Sequence, residues 1–290
     1  MPSLLDMRRR IKSVKNTQQI TKAMKMVAAA KLKRAQDRVT AARPYAQKMS
    51  EVLSGLSARV ADDFSHPLLD ERGDKNYLVV VITADKGLCG AFNSNIIKAA
   101  QNFMAENQDK SIRMMPVGRK GRDFFRRREV PFATEYVGLT GKGRIEYSEA
   151  AEIAQDVIKT FTEDETIDKV FLIYSEFKSV LSQKPVVQQL LPIPRETEES
   201  AAAGAQAEYI YEQPPGDIFG RLLPKQVETQ IYRAILESIA SEQGARMTAM
   251  DSASKNAGDL IGTLTLNMNR IRQAAITKEI IEVVSGAAAL

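Results

Sequence analysis

Residues 28–56 read AAAKLKRAQDRVTAARPYAQKMSEVLSGL. Within them Ala28, Leu32, Ala35, Val39, Ala42, Ala46, Met49, Leu53 and Leu56 recur in unbroken 4-3 steps, the spacing of a coiled-coil seam. Upstream, Leu4, Met7, Ile11 and Val14 follow a 3-4-3 spacing, so after one change of phase a single helix is predicted from Ser3 to about Ser57. Ser3 supplies a cap for its first turn, and Asp6, three residues on, completes a capping box. Some 55 residues would extend about 80 Å, far beyond an ordinary globular helix. Pro44 removes one backbone donor and predicts a kink or a loosened turn near Arg43.

The other end has a matching character. Lys225 to Leu290 contains no proline, and Met250, Ala253, Ala257, Leu260, Leu264, Ile271 and Ala274 form a second seam, with Asn267 in one slot. Fully helical, this stretch would reach roughly 100 Å. A lone helix with so narrow an apolar stripe does not persist in water. The nearest partner is the opposite end of the same chain, so the two termini are predicted to form a long antiparallel two-helix coiled coil.

Between them the periodicity changes. Tyr77–Ile82 is a continuous β-branched run, expected of a buried parallel strand. Gly87-Leu-Cys-Gly90 then turns the chain into a helical stretch, Phe92–Glu106. Ile112–Val117, Phe132–Val137, Glu146–Phe161 and Val170–Tyr174 continue the alternation. The fold class is therefore α/β: a small Rossmann-like central domain carried by the terminal coiled coil. The expected organisation is an N-terminal coiled-coil helix over 1–58 and an α/β globular domain over 75–192. A flexible connection and foot over 193–216 then leads to a C-terminal coiled-coil helix over 217–290, with residues 195–208 as an exposed loop and Pro214-Pro215-Gly216 breaking the chain before that helix.

Composition removes much of the catalytic repertoire. One cysteine, Cys89, excludes an internal disulfide and a multi-cysteine zinc site, and one histidine, His66, argues against a histidine metal centre or triad. Cys89 reads as a packed, inert thiol, because activation needs a base and an orienting group. The turn after the first strand could cradle phosphate, but Asp85–Gly90 lacks the dinucleotide-binding glycine spacing and reads as a tight strand-to-helix connection. Gly138-Leu-Thr-Gly-Lys-Gly143 fails the phosphate-loop pattern twice, at Tyr136 and Gly143, and reads as a mobile loop. No cofactor or metal is predicted.

Charge is uneven. Residues 1–60 hold fourteen Lys/Arg against three acids, a balance of +11, while the whole chain carries +5. Arg8, Lys12, Lys15 and Lys22 share one side of the first helix, and Lys31, Arg34 and Arg38 lie elsewhere around it. A solvated face is the default reading. Cations so dense repel one another, however, unless an anionic surface lies within a Debye length of about 8–10 Å. The last eleven residues carry one charge, which suits a tip sheathed by apolar surface on other chains. No signal-peptide pattern or spanning apolar run is visible, so the chain is expected to start in the cytoplasm and to reach a membrane through partners.

Residues 10–31 (RIKSVKNTQQITKAMKMVAAAK), 237–250 (ESIASEQGARMTAM) and 269–288 (NRIRQAAITKEIIEVVSGAA) closely resemble signatures of the gamma subunits of F-type ATP synthases. Gly87–Gly90, Gln189–Pro192 and Tyr209–Glu212 fall where that family has the same motifs. The resemblance implies a bacterial-type, non-catalytic rotor shaft in an ATP-synthesising or ATP-hydrolysing complex, peripheral on the cytoplasmic side of the cell membrane. Its implied partners are the alpha/beta hexamer, the epsilon subunit and the membrane c-ring. It further implies that Arg8 and Arg9 face acidic segments of the beta subunits, and that Met24 and Arg246 lie where coupling is sensitive to substitution. Arg272 and Gln273 match a polar catch on a beta loop, Thr277 and Glu279 match positions tied to coupling, and Lys86 lies near the lower beta subunits. Tyr209, Tyr211 and Glu212 match the foot that meets epsilon and the ring. A thiol switch of the chloroplast kind needs two cysteines and is not expected.

Two other classes remain open to the residues alone. A basic coiled-coil nucleic-acid-binding protein would bind duplex with steep salt dependence, but the basic residues are not interleaved with aromatics and no sequence-reading signature is present. A small α/β enzyme would show a cofactor motif or a titratable cluster.

Overall fold

The computed structural model describes residues 3–57, 66–142, 145–193 and 214–288. Two compact units emerge: Met1–Ala29 with Arg246–Leu290, and Ala30–Ala245. Two very long helices run through both, α1 (Leu4–Ser57) and one that begins at Pro215 and ends at Ala288.

The start of α1 is capped as its sequence dictates. The Ser3 hydroxyl accepts from the Asp6 amide at 3.2 Å while the Asp6 carboxylate accepts from the Ser3 amide and hydroxyl. The helix continues through Pro44, where only the bond to the carbonyl of Thr40 is forfeited. The final helix includes Pro224 and takes Pro215 in its first turn, where a missing amide hydrogen costs no helical bond.

The 30–245 unit contains a four-stranded sheet. β1 (Asn76–Ile82) lies between β2 (Ser111–Val117) and β3 (Lys169–Phe177), parallel to both, and β4 (Gln183–Leu191) closes the far edge antiparallel to β3. β1 is a continuous apolar run because both of its faces are covered. Tyr77, Val79 and Val81 point to one side. There they meet α2 (Phe92–Glu106) through Phe92, Ile96 and Ala100, and α3 (Arg119–Arg126) through Phe125. Leu78, Val80 and Ile82, on the other side by alternation, are equally buried. α4 (Tyr147–Glu163) buries Ala150, Ile153, Ala154, Val157 and Phe161 along one stripe. The final helix is α5.

Three details differ from the sequence expectation. Phe132–Val137 is not a strand; only Phe132 and Tyr136 bridge to β2. α3 and β4 carry too little apolar periodicity to be read in advance: α3 is two turns of mostly charged residues, and β4 is an edge with half-buried alternation. The supposedly mobile glycine loop is tied down where it is described. Gly138, Thr140 and Gly141 all donate to the carboxylate of Asp85.

In α5, residues 234–245 are buried on every side, which a helix tolerates only when its polar members find partners. Glu237 accepts from the Phe177 amide at 2.9 Å and from Arg43 Nη2 at 3.1 Å. Ser238 accepts from the Ser175 amide, and Ser241 donates to the Ser175 carbonyl. Pairing of β3 with β1 stops at Ile173, so α5 satisfies the backbone that runs past the end of β1.

Candidate functional site on the paired terminal helices

In the unit built from both chain ends, Gln18 Nε2 donates to the Ser254 carbonyl at 3.3 Å, and Lys25 Nζ reaches Asp251 at 2.5 Å. Numbers that rise along α1 fall along α5, so this pair is antiparallel. Met7, Thr21, Ala28, Met250 and Ala257 are buried, and Ile11, Val14, Met24, Ile261, Leu264, Met268 and Ile271 are half-buried. A Cβ on Gly258 would stand 3.1 Å from Gln18 Nε2, so the small residue permits the close approach. Hydrogen bonds from Lys25 and then Lys255 hold the Asp251 carboxyl below the usual carboxylate range.

The C-terminal seam is corrected. Leu260 is 46% exposed, and Asn267 and Ala274 are exposed too. Leu264 and Ile271 are half-buried as the seam requires, and Ile261, Met268 and Ala275 join them in place of the other three. Measured from Ala257 they stay within one narrow face of a straight helix, whereas 260, 267 and 274 follow a strict seven-residue repeat that drifts off it.

Fourteen residues back from Gln18 is Leu4, and fourteen on from Ser254 is Met268, so α1 runs out where the exposed part of α5 begins. From Arg272 to Ala287 every side chain except Ala275 is exposed. Among them Ile276, Ile280, Ile281, Val283 and Val284 are between 49% and 71% exposed. These five gather on one broad side of the helix, opposite Lys278, Glu279 and Glu282, and so wide an apolar face has no reason to be bare unless other surface covers it. Among the described residues no helix is long and apolar enough to cross a membrane.

Eight of the sequence-derived site residues lie in this unit. Arg8, Arg9, Arg272, Gln273, Thr277 and Glu279 are exposed; Met24 and Arg246 are half-buried. Thr277 Oγ1 donates to the Gln273 carbonyl at 2.9 Å, one turn back. The unit holds twelve Lys/Arg against five Asp/Glu, a balance of +7, whereas residues 30–245 carry −2. Tyr209, Tyr211 and Glu212 lie outside the described residues.

Lys86 is exposed in the other unit, on the turn that leaves β1. Its neighbour Leu88 adopts φ 63° and is exposed, a left-handed conformation uncommon for a leucine. Asp85, which precedes them, is the residue that sequence reasoning overlooked. Burial would raise its carboxyl, but the amides of Gly138, Gly141 and Arg119 and the hydroxyl of Thr140 outweigh that and hold it below the usual range. The turn is thus a carboxylate-filled cradle closed by the chain itself. Cys89 is buried, with its sulfur 3.1 Å from Asn93 Nδ2.

Glu237, Ser238 and Ser241 were also missed as anchors. The signal was present: they are polar positions set among the apolar residues Ala234, Ile235, Leu236, Ile239 and Ala240.

The chain combines an antiparallel pair of terminal helices with a small mixed-sheet domain, the two units expected of a central-stalk subunit. A protein-family model described as ATP synthase matches residues 3–290. The ATP synthase gamma chain of Solibacter usitatus (strain Ellin6076) is 57% identical over 292 residues, spanning 100% of this chain and 99% of that one. That of Heliobacterium modesticaldum (strain ATCC 51547 / Ice1) is 55% identical over the full length of both. Among solved structures, a chain of the central stalk/c-ring of the Tetrahymena thermophila mitochondrial ATP synthase superposes with a TM-score of 0.60 at 31% identity, over 81% of this chain and 99% of its own. A chain of the Euglena gracilis mitochondrial enzyme in its OSCP/F1/c-ring assembly reaches 0.67 at 19% identity, over 99% and 94%, a likeness of fold. The chain belongs to the gamma-chain family of ATP synthases. Nothing in these likenesses supports the nucleic-acid reading.

Proposed function

We propose that this chain is the central rotor shaft of an F-type ATP synthase, transmitting torque between an ion-driven membrane ring and a catalytic alpha/beta hexamer. The observation that carries the reading is the antiparallel helix pair, +7 in charge, ending in a helix tip exposed on every side. The two helices differ in bulk and charge around their circumference. Each beta subunit therefore meets a different face at each rotational angle, and unequal contacts bias its open and closed states.

The chain itself carries out no bond chemistry in this reading. The two glycine turns where a nucleotide phosphate would be sought close on the carboxylate of Asp85. Arg8 and Arg9 pair with acidic beta segments, and Arg272 and Gln273 act as a polar catch. Thr277 and Glu279 support coupling next to that catch, Met24 and Arg246 lie where coupling through the shaft is sensitive to substitution, and Lys86 contacts the lower hexamer. Tyr209, Tyr211 and Glu212 belong to the foot on epsilon and the c-ring. The complex sits on the cytoplasmic side of the cell membrane, with this chain peripheral.

The test is Arg272→Ala with Gln273→Ala in a reconstituted enzyme. Both side chains are exposed, so folding is preserved, and proton pumping per ATP hydrolysed should fall. Normal coupling in the double variant would remove the catch assignment.

A further inference from the structure

Two cavities in the 30–245 unit share Arg233 as a wall. One, of about 390 Å³, is lined by Arg43, Glu176, Phe177, Lys178 and Arg233. The other, of about 410 Å³, is lined chiefly by Tyr45, Tyr147, Tyr232 and two alanines on α1. The first is polar and cationic; the second is apolar and aromatic.

The ionic accounting in the polar cavity does not close. Glu176 lies 3.8 Å from Lys178 Nζ. Glu237 takes Arg43 on one carboxylate oxygen and the Phe177 amide on the other. Three cations thus face two carboxylates, and both oxygens of the buried one are already engaged. Arg233 Nε approaches Glu237 no closer than 4.0 Å, and this buried donor makes no hydrogen bond. An unfilled buried donor is costly, and an incoming oxyanion would relieve it. Next door the rings are held in place: Tyr147 meets Tyr232 edge-on at 5.4 Å, and its hydroxyl is tied to Glu228 at 2.7 Å. A fixed ring pair beside guanidinium groups offers a face to an apolar body whose charged head lies one residue away.

We propose that this double cavity binds an organic oxyanion. Its phosphate or carboxylate is held by Arg43, Lys178 and Arg233, and its apolar or aromatic body lies among Tyr45, Tyr147 and Tyr232. Each volume falls in the ordinary range for small-molecule sites, roughly 300–1,000 Å³, whereas an inorganic anion alone would leave the tyrosine side empty.

Calorimetric titration of the purified full chain at low salt tests this with three probes: phenyl phosphate, benzoate and inorganic phosphate. Phenyl phosphate or benzoate should bind saturably at one site, about tenfold tighter than inorganic phosphate, and the stronger of the two identifies the head group. Arg233→Gln should weaken all three probes. Tyr232→Ala should bring the aromatic probes down to the affinity of inorganic phosphate. Lys178→Gln changes an exposed side chain and serves if Arg233→Gln fails to fold, as judged by circular dichroism. Absence of saturable binding to the native chain, or affinities untouched by the folded charge variants, would overturn the proposal. Equal affinity for phenyl phosphate, benzoate and inorganic phosphate would overturn the tyrosine half of it.

Discussion

Asp85 stands at the C-terminal end of β1, where parallel α/β sheets commonly receive a ligand. Here four donors converge on its own carboxylate, and the neighbouring Gly118, at φ 104°, comes so close to the Thr83 carbonyl that no side chain would fit. Asp85→Ala leaves those donors without an acceptor and should cost on the order of 3 kcal/mol in urea unfolding near neutral pH; Asp85→Asn keeps one acceptor oxygen and should cost less. The folded-state pKa of Asp85 is depressed, so its stabilisation is present above the unfolded value of about 3.9 and is lost as pH falls through the lower folded value. The gap between the native chain and Asp85→Asn should accordingly narrow below about pH 4; a constant gap from neutral to acid pH would refute the carboxylate's role. The sequence displayed the glycines of this turn, but not that an aspartate would fill it. Gly138–Gly141 lie more than fifty residues away, and only folding brings them to Asp85.

At the level of the helices, contacts along the terminal pair are unequal in worth. Lys25–Asp251 joins two partly exposed groups, whose attraction water largely screens. Met250 is buried, and truncating such a side chain costs about 2–5 kcal/mol. Thermal unfolding followed by far-ultraviolet circular dichroism should therefore separate Met250→Ala, clearly destabilised, from Asp251→Asn, nearly native; the reverse order would mean that charge and not packing holds the pair. The N-terminal seam was legible because its 4-3 steps coincide with buried Ala28, Leu32, Ala35, Val39, Met49 and Leu53. The C-terminal seam was legible in kind but misplaced at Leu260, Asn267 and Ala274, since several apolar residues crowd that stretch and only the partner chooses among adjacent faces.

Across the whole chain, folding stability and function separate along α5. Residues 276–287 are exposed on all sides and contribute little to folding, so a chain ending at Ala275 should melt within about 2 °C of the native one, as surface changes do. Its association with a catalytic hexamer should nevertheless weaken, as read by co-purification; a large fall in melting temperature would mean that the tip is packed in the isolated chain. The two long helices, the capping of the first, the buried central strand and the uneven charge could all be read along the chain. These follow from local periodicity and composition, which every residue carries with it. Which face of α5 is covered, how Glu237, Ser238 and Ser241 meet the end of β3, and what fills the turn after β1 emerge only in the folded chain. Each of those depends on groups distant in the chain satisfying one another's hydrogen bonds and volume, and no local pattern records where such partners will meet.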